Sequence, residues 1–109
     1  VSSGPDCAAW ATLAELAREL RTRSTRQLFE SDTERFRHCS SESNGLLFDY
    51  SRQRIDGRVL AAFAALAEQL GLRARIEAMF GGAHINITED RAVLHTALRR
   101  PAGGAALYA

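Results

Sequence analysis

Arg91, His95 and Arg99 recur at steps of four near the end of the sequence, so on a helix they share one face. Such a cationic stripe can meet a phosphorylated ligand or a neighbouring carboxylate. It can equally be a helix side that faces solvent or a partner. Glu89 and Asp90 resemble the paired acids of acid–base chemistry, but adjacent helical residues diverge by about 100°. At a helix start they offset the macrodipole instead. Gly81-Gly82-Ala83-His84 invites a phosphate-loop reading. It matches neither G-x-G-x-x-G nor G-x-x-x-x-G-K-[ST], and the sequence holds no Lys to complete the second, so it reads as a helix stop and a flexible turn. Asn86-Ile87-Thr88 fits the N-glycosylation pattern, yet nothing routes the chain to a secretory compartment and Thr88 reads as a helix cap. His38 beside Cys39 suggests a thiol–imidazole pair, but sequence neighbours seldom point at each other and no third member is evident. Residue by residue, no catalytic, cofactor-binding or metal site is assigned.

The elements that must position these residues read as mainly helical. Gly4-Pro5-Asp6 starts a helix, with Pro in the first turn and Asp to cap it or offset the dipole. Trp10, Leu13, Leu16, Ala17 and Leu20 form its buried stripe, and Arg21–Arg23 closes it. Ser24-Thr25 restarts a short helix carrying Leu28 and Phe29, and Ser31-Asp32 caps a brief turn through Phe36. Cys39 to Gly45 is Ser-rich and aperiodic, hence a loop. Leu46-Leu47-Phe48-Asp49-Tyr50 is the best strand candidate, and no second segment looks like its partner. An unpaired strand leaves backbone groups unsatisfied where buried, which suggests missing sequence.

Asp56 caps the longest predicted helix, Gly57 to Leu70, with Val59, Leu60, Phe63, Leu66, Ala67 and Leu70 inward and Gly71 at its close. A helix over Leu72 to Phe80 buries Ile76, Met79 and Phe80. Thr88 caps a last helix that Arg99 and Arg100 end before Pro101. The tail, Ala102 to Ala109, has no pattern and stops without a terminating element, a second expectation of truncation.

Composition narrows the class. Alanine supplies 19 of the apolar residues and the large aliphatics with Phe only 25 of 109, so the available core is thin for the length. That suits a small bundle or a segment that packs against more protein. The net charge is +1 and all 14 basic residues are Arg, interleaved with acids, which gives no basic block for nucleic acid or an anionic membrane. Cys7 and Cys39 lack zinc spacing and read as two thiols rather than a disulfide. No apolar run reaches the roughly 18–20 residues of a membrane span, so the expectation is a soluble intracellular protein.

One stretch is more specific than any single residue. Ile85-Asn86-Ile87-Thr88-Glu89-Asp90-Arg91-Ala92-Val93-Leu94-His95-Thr96-Ala97-Leu98-Arg99 resembles the I-N-x-T-E-x-R-A-V-L-H-x-A-L-R block of glucose-6-phosphate isomerases. Upstream, Leu28-Phe29 with Asp32, Arg35 and Phe36 is similar to the family's L-F-x-x-D-x-x-R-F, Asp49-Tyr50-Ser51 to D-Y-S-K-N, and Met79-Phe80 with Gly82 to M-F-x-G. Arg52 and Gln53 stand where that family has Lys-Asn, and Arg does not reproduce an ammonium's geometry. The resemblance covers about Trp10 to Arg100.

It implies that residues 1–109 are a single N-terminal helical region of a larger three-layer α/β sugar-isomerase fold, with about four to five helices, one short strand and the catalytic domains absent. It further implies an aldose–ketose isomerase that interconverts glucose 6-phosphate and fructose 6-phosphate through an enediol. That enzyme uses no metal or organic cofactor, is cytoplasmic and homodimeric, and binds neither nucleic acid nor membrane. The family's catalytic glutamate, histidine and lysines lie downstream of this region, so no catalytic role transfers to any residue here. The competing expectation is a stand-alone helical interaction module derived from that family.

Overall fold

The computed structural model describes residues 4–100 and 103, and the chain divides into two compact units, Val1–Leu66 and Ala67–Ala109. Among the described residues it is mainly helical: five α-helices, two 3₁₀ turns and one two-stranded sheet. Pro101 and the patternless tail, Gly103 excepted, lie outside the described residues.

In the first unit, a 3₁₀ turn at Gly4–Asp6 leads into α1 (Ala8–Leu20). Of the predicted stripe, Leu16 and Leu20 are buried and Leu13 packs against them, while Trp10 remains 46% exposed. Helix α2 (Thr25–Ser31) starts on a capping box: the Gln27 amide donates to the Ser24 hydroxyl at 3.2 Å, and the Ser24 amide to the Gln27 side chain at 2.8 Å. It delivers Leu28 to the core at 2% exposure. A single turn, α3 (Arg35–His38), follows.

The predicted loop over 39–45 is in part a strand. Ser40–Ser43 (β1) pairs antiparallel with Leu46–Asp49 (β2), in the register Ser40 to Asp49 and Ser43 to Leu46. The lone strand therefore has a partner after all. Ser-Ser-Glu-Ser carries no apolar alternation because it buries almost nothing, so hydrophobic periodicity could not reveal it. The signal lay in the turn: Asn44 and Gly45 have φ of 51° and 75°, the two left-handed residues of the tight turn that matches strand twist.

Helix α4 (Gly57–Gln69) starts where Asp56 Oδ1 accepts from the amides of Arg58 (3.0 Å) and Val59 (3.2 Å), as the sequence predicts. Its inward residues are Val59 and Ala62, which join Leu16, Leu20 and Leu28 in the core, whereas Leu60 and Phe63 are exposed. The buried face is rotated from the predicted one because a small alanine permits close packing in so small a core.

In the second unit, Gly71 at φ 65° precedes α5 (Leu72–Phe80). The expected burial of Ile76 and Phe80 does not occur; they are 44% and 51% exposed, and Met79 is half-buried. The helix stop at Gly81-Gly82 is borne out. Gly82 is left-handed (φ 78°), its amide reaches the Met79 carbonyl, and the Ala83 amide reaches that of Ala78 at 3.0 Å, the paired bonds of a glycine C-terminal cap.

The predicted helix from Thr88 to Arg100 is not formed. Asn86 and Arg91 exchange backbone hydrogen bonds at 3.2 and 3.3 Å across a turn in which Asp90 has φ 47°, and only Ala97–Arg99 winds into a 3₁₀ turn. Two causes act together. The Asn86 carboxamide oxygen accepts from the Glu89 amide (3.3 Å) and its nitrogen donates to the Glu89 carboxylate (2.9 Å), so Asn86, not Thr88, organises the turn. A helix this short also needs an apolar face to bury, and Leu94 and Leu98 are 47% and 85% exposed.

Candidate functional site

The residues flagged for chemistry are not assembled into one constellation. Without a helix over 88–100, Arg91, His95 and Arg99 do not form a helical stripe. Arg91 pairs with Glu89, and Arg99 donates to the His95 carbonyl at 3.4 Å. Asp90 meets His84 Nδ1 at 3.2 Å, with both side chains largely in solvent. Arg91 and His95 border a shallow hollow of about 270 Å³ whose remaining wall is Asn86 and Ala92–Leu94. At position 38 the imidazole turns to Asp32 (Nδ1 to Oδ2, 2.9 Å) while Cys39 is buried, so the two neighbours diverge as expected. No disulfide joins Cys7 and Cys39, both of which are buried. Among the described residues no group of three His, Cys, Asp or Glu could hold a metal ion.

The most constrained polar group in the first unit is Arg35, 2% exposed on α3. Its Nε donates to the Ser51 carbonyl at 2.7 Å, and one terminal nitrogen donates to the carbonyls of Gln53 (2.7 Å) and Ile55 (2.8 Å). The guanidinium also lies 5.7 Å from the centre of the Phe29 ring. Tyr50 donates its amide to the Cys39 carbonyl at 2.9 Å, and the Asp49 carboxylate accepts from the Ser51 amide at 2.9 Å. That amide bond holds the Asp49 carboxyl below its ordinary value. Two segments 16 residues apart are thus locked together: the turn bearing Arg35, and Asp49-Tyr50-Ser51. Sequence reasoning singled out both segments but not the link, because a side chain bonding to backbone carbonyls leaves no residue-type pattern. Gln53, which stands where the resembled motif has Asn, takes part in the link through its main-chain carbonyl.

Two cavities flank this clamp. One, about 290 Å³, is bordered by Arg23, Ser31, Asp32, Arg35, His38 and Asp56. Its charges are already engaged: Arg35 with carbonyls, His38 with Asp32, Arg23 with Ser31 at 3.0 Å, and Asp56 with Arg58 at 2.8 Å. Two carboxylates on its wall oppose a phosphate. The His38 hydrogen bond is the main cause that holds the Asp32 carboxyl below its ordinary value. The other cavity, about 370 Å³, is lined by Trp10, Leu13, Leu20, Ile55, Val59 and Phe63 with Arg54 at its edge. A sugar phosphate needs convergent polar donors, which this apolar wall lacks; the groove suits an apolar group.

A second ion cluster ties α1 to α4. Arg58 reaches both carboxylate oxygens of Glu19 (2.7 and 2.9 Å) and Asp56 Oδ2 (2.8 Å). Glu19 is held low chiefly by its bond from Arg58. At Asp56 burial pushes upward, but Arg58 and the Val59 amide outweigh it and the carboxyl titrates low; Arg58 itself is raised by its two carboxylates.

Comparison with known proteins agrees on one family. A family model described as phosphoglucose isomerase matches residues 49–107. The chain is similar to the glucose-6-phosphate isomerase of Corynebacterium diphtheriae, 51% identical over 83% of this chain and 16% of that protein. It is similar to that of Roseiflexus castenholzii at 49% over 90% of this chain and 18% of that protein. The Aromatoleum aromaticum protein of the same name is 53% identical over 84% of this chain and 17% of its own length. The chain therefore spans about one-sixth of the length of these relatives.

Proposed function

From the premise that this chain belongs to the phosphoglucose isomerase family, we propose that it is the N-terminal part of an enzyme interconverting glucose 6-phosphate and fructose 6-phosphate. The observation that carries the reading is the match to glucose-6-phosphate isomerases at about half identity over 83–90% of the chain. Within that enzyme residues 1–109 are one helical region and act as scaffold. The groups that bind phosphate, open the ring and move the proton belong to the rest of the protein. The site geometry supports this division, since the charges around Arg35 are engaged with main-chain carbonyls and with one another and the groove wall is apolar. The reaction is an aldose–ketose isomerisation, and the complete enzyme is a cytoplasmic homodimer. No helix among the described residues is long and apolar enough to cross a membrane. The stand-alone module is disfavoured, because relatives carry this stretch as part of a protein named for the isomerisation.

The test is a coupled assay from fructose 6-phosphate, with the glucose 6-phosphate formed being oxidised by a dehydrogenase. The protein extended to its relatives' length turns over, and residues 1–109 alone give the background rate. A folded, extended protein without isomerase activity overturns the reading.

A further inference from the structure

The β1–β2 hairpin carries its apolar residues in an unusual way. Leu46, Leu47 and Phe48 are consecutive and 75%, 58% and 67% exposed. Successive strand residues point to opposite faces, so Leu46 and Phe48 lie on one face and Leu47 on the other. The ring contact between Phe48 and Tyr50, 5.4 Å between centres, marks the first of these faces. The cross-strand partners are Ser43, Glu42 and Ser41, which offer no apolar cover. At its base the hairpin is rigidly held by the Tyr50-to-Cys39 bond and by Arg35 on Ser51. At its tip the tight Asn44-Gly45 turn keeps it slender.

A flat surface can cover one face of such a ribbon and leaves the other wet. We propose that the hairpin is an arm that inserts into an apolar groove of the remainder of the same polypeptide, with Leu46 and Phe48 against one wall and Leu47 against the other. This rests on the reading of the chain as part of a longer isomerase. Two arguments select that occupant over a second copy of this hairpin. The relatives are about six times longer than the matched stretch, so most of the protein's mass is available in the same chain. Three apolar side chains also fall well short of the ~800 Å² per partner that a standard interface between chains buries.

The experiment uses the full-length protein, with L47C and F48C made separately and the unaltered protein as background for its own thiols. Maleimide labelling is timed under native and denaturing conditions. Insertion slows both positions about 100-fold or more in the native state. Slowing at one position only means that the hairpin lies flat, and fast labelling at both means a free arm; either result overturns the inference. Protection lost when the protein is diluted to monomers assigns the groove to a second copy and overturns the occupant. Hydrogen exchange on the unaltered protein gives a check free of substitution: hairpin amides exchange as slowly as those of α1, and fast exchange sinks the inference. Isomerase activity separates the two readings. An active enzyme with a fast-labelling hairpin fails the insertion alone, whereas an inactive unaltered enzyme fails the functional reading beneath it.

Discussion

The Val1–Leu66 unit and the Ala67–Ala109 unit are held together differently. The first has a small but genuine core of Leu16, Leu20, Leu28, Val59 and Ala62, and beside it a buried guanidinium bonded to three carbonyls. In the second no described residue is buried. It is organised by local backbone chemistry: a glycine cap after α5 and the Asn86–Arg91 bridge closed by a left-handed Asp90. Yet the longest motif block, Ile85 to Arg99, lies in the second unit, as does most of the family match. A sequence can be highly specific without being self-supporting. The motif residues Leu28 and Arg35 sit in or beside the core of the first unit, whereas the longest motif block builds no local core among the described residues.

The contrast breaks most easily at Arg35. Arg35→Met leaves three carbonyls without their donor and should cost about 3 kcal/mol or more in urea unfolding. Arg91→Met, at an exposed ion pair, should cost less than about 0.5 kcal/mol. Equal effects would remove the distinction between the units. Core truncation comes next. Leu20→Ala, at a side chain 1% exposed, should cost about 3 kcal/mol, and Ile76→Ala, at one 44% exposed, well under about 1 kcal/mol. A large loss at Ile76 would mean that α5 packs on something that its exposure does not reveal. Smaller again is Ser24→Ala, which removes one half of the capping box and should cost about 1 kcal/mol. The accompanying loss of α2 protection is read by hydrogen exchange.

These differences also say what was legible in the sequence. Helices α1, α2, α4 and α5 could be located from their start and stop signals and apolar spacing, with Ser24 before α2, Asp56 before α4, and Gly71 and Gly81-Gly82 as stops, although the spacing misjudged which faces of α4 and α5 are buried. The hairpin was half legible, since β1 buries almost nothing and only Asn44-Gly45 announces it. The last helix was misread because Thr88-Glu89-Asp90 imitates a cap and first turn. The competing carboxamide of Asn86 two residues earlier wins instead. The Arg35 clamp could not be seen at all, for its partners are main-chain carbonyls and carry no residue identity. For the site the sequence assigned no residue; in the structure Arg91 pairs with Glu89, His84 with Asp90 and His38 with Asp32.

The smallest expected effect concerns acid. Glu19 and Asp56 both titrate below their ordinary values of 4.5 and 3.8 in the folded chain, with Arg58 the principal lowering influence on each. A carboxyl whose folded value is depressed binds its proton more readily when unfolded. Its stabilising share is therefore complete above the unfolded value and is lost as pH falls through the folded one. The stability of the first unit should thus decline from about pH 5 downward, and Glu19→Gln should flatten that decline by removing one of the two linked groups. Because the Arg58 cluster is solvent-exposed, molar salt should flatten it too. Unfolding followed between pH 3 and pH 6, with and without salt, measures both slopes. If Glu19→Gln leaves the slope unchanged, the acid response belongs to other carboxylates, with Asp32 against His38 the next to substitute.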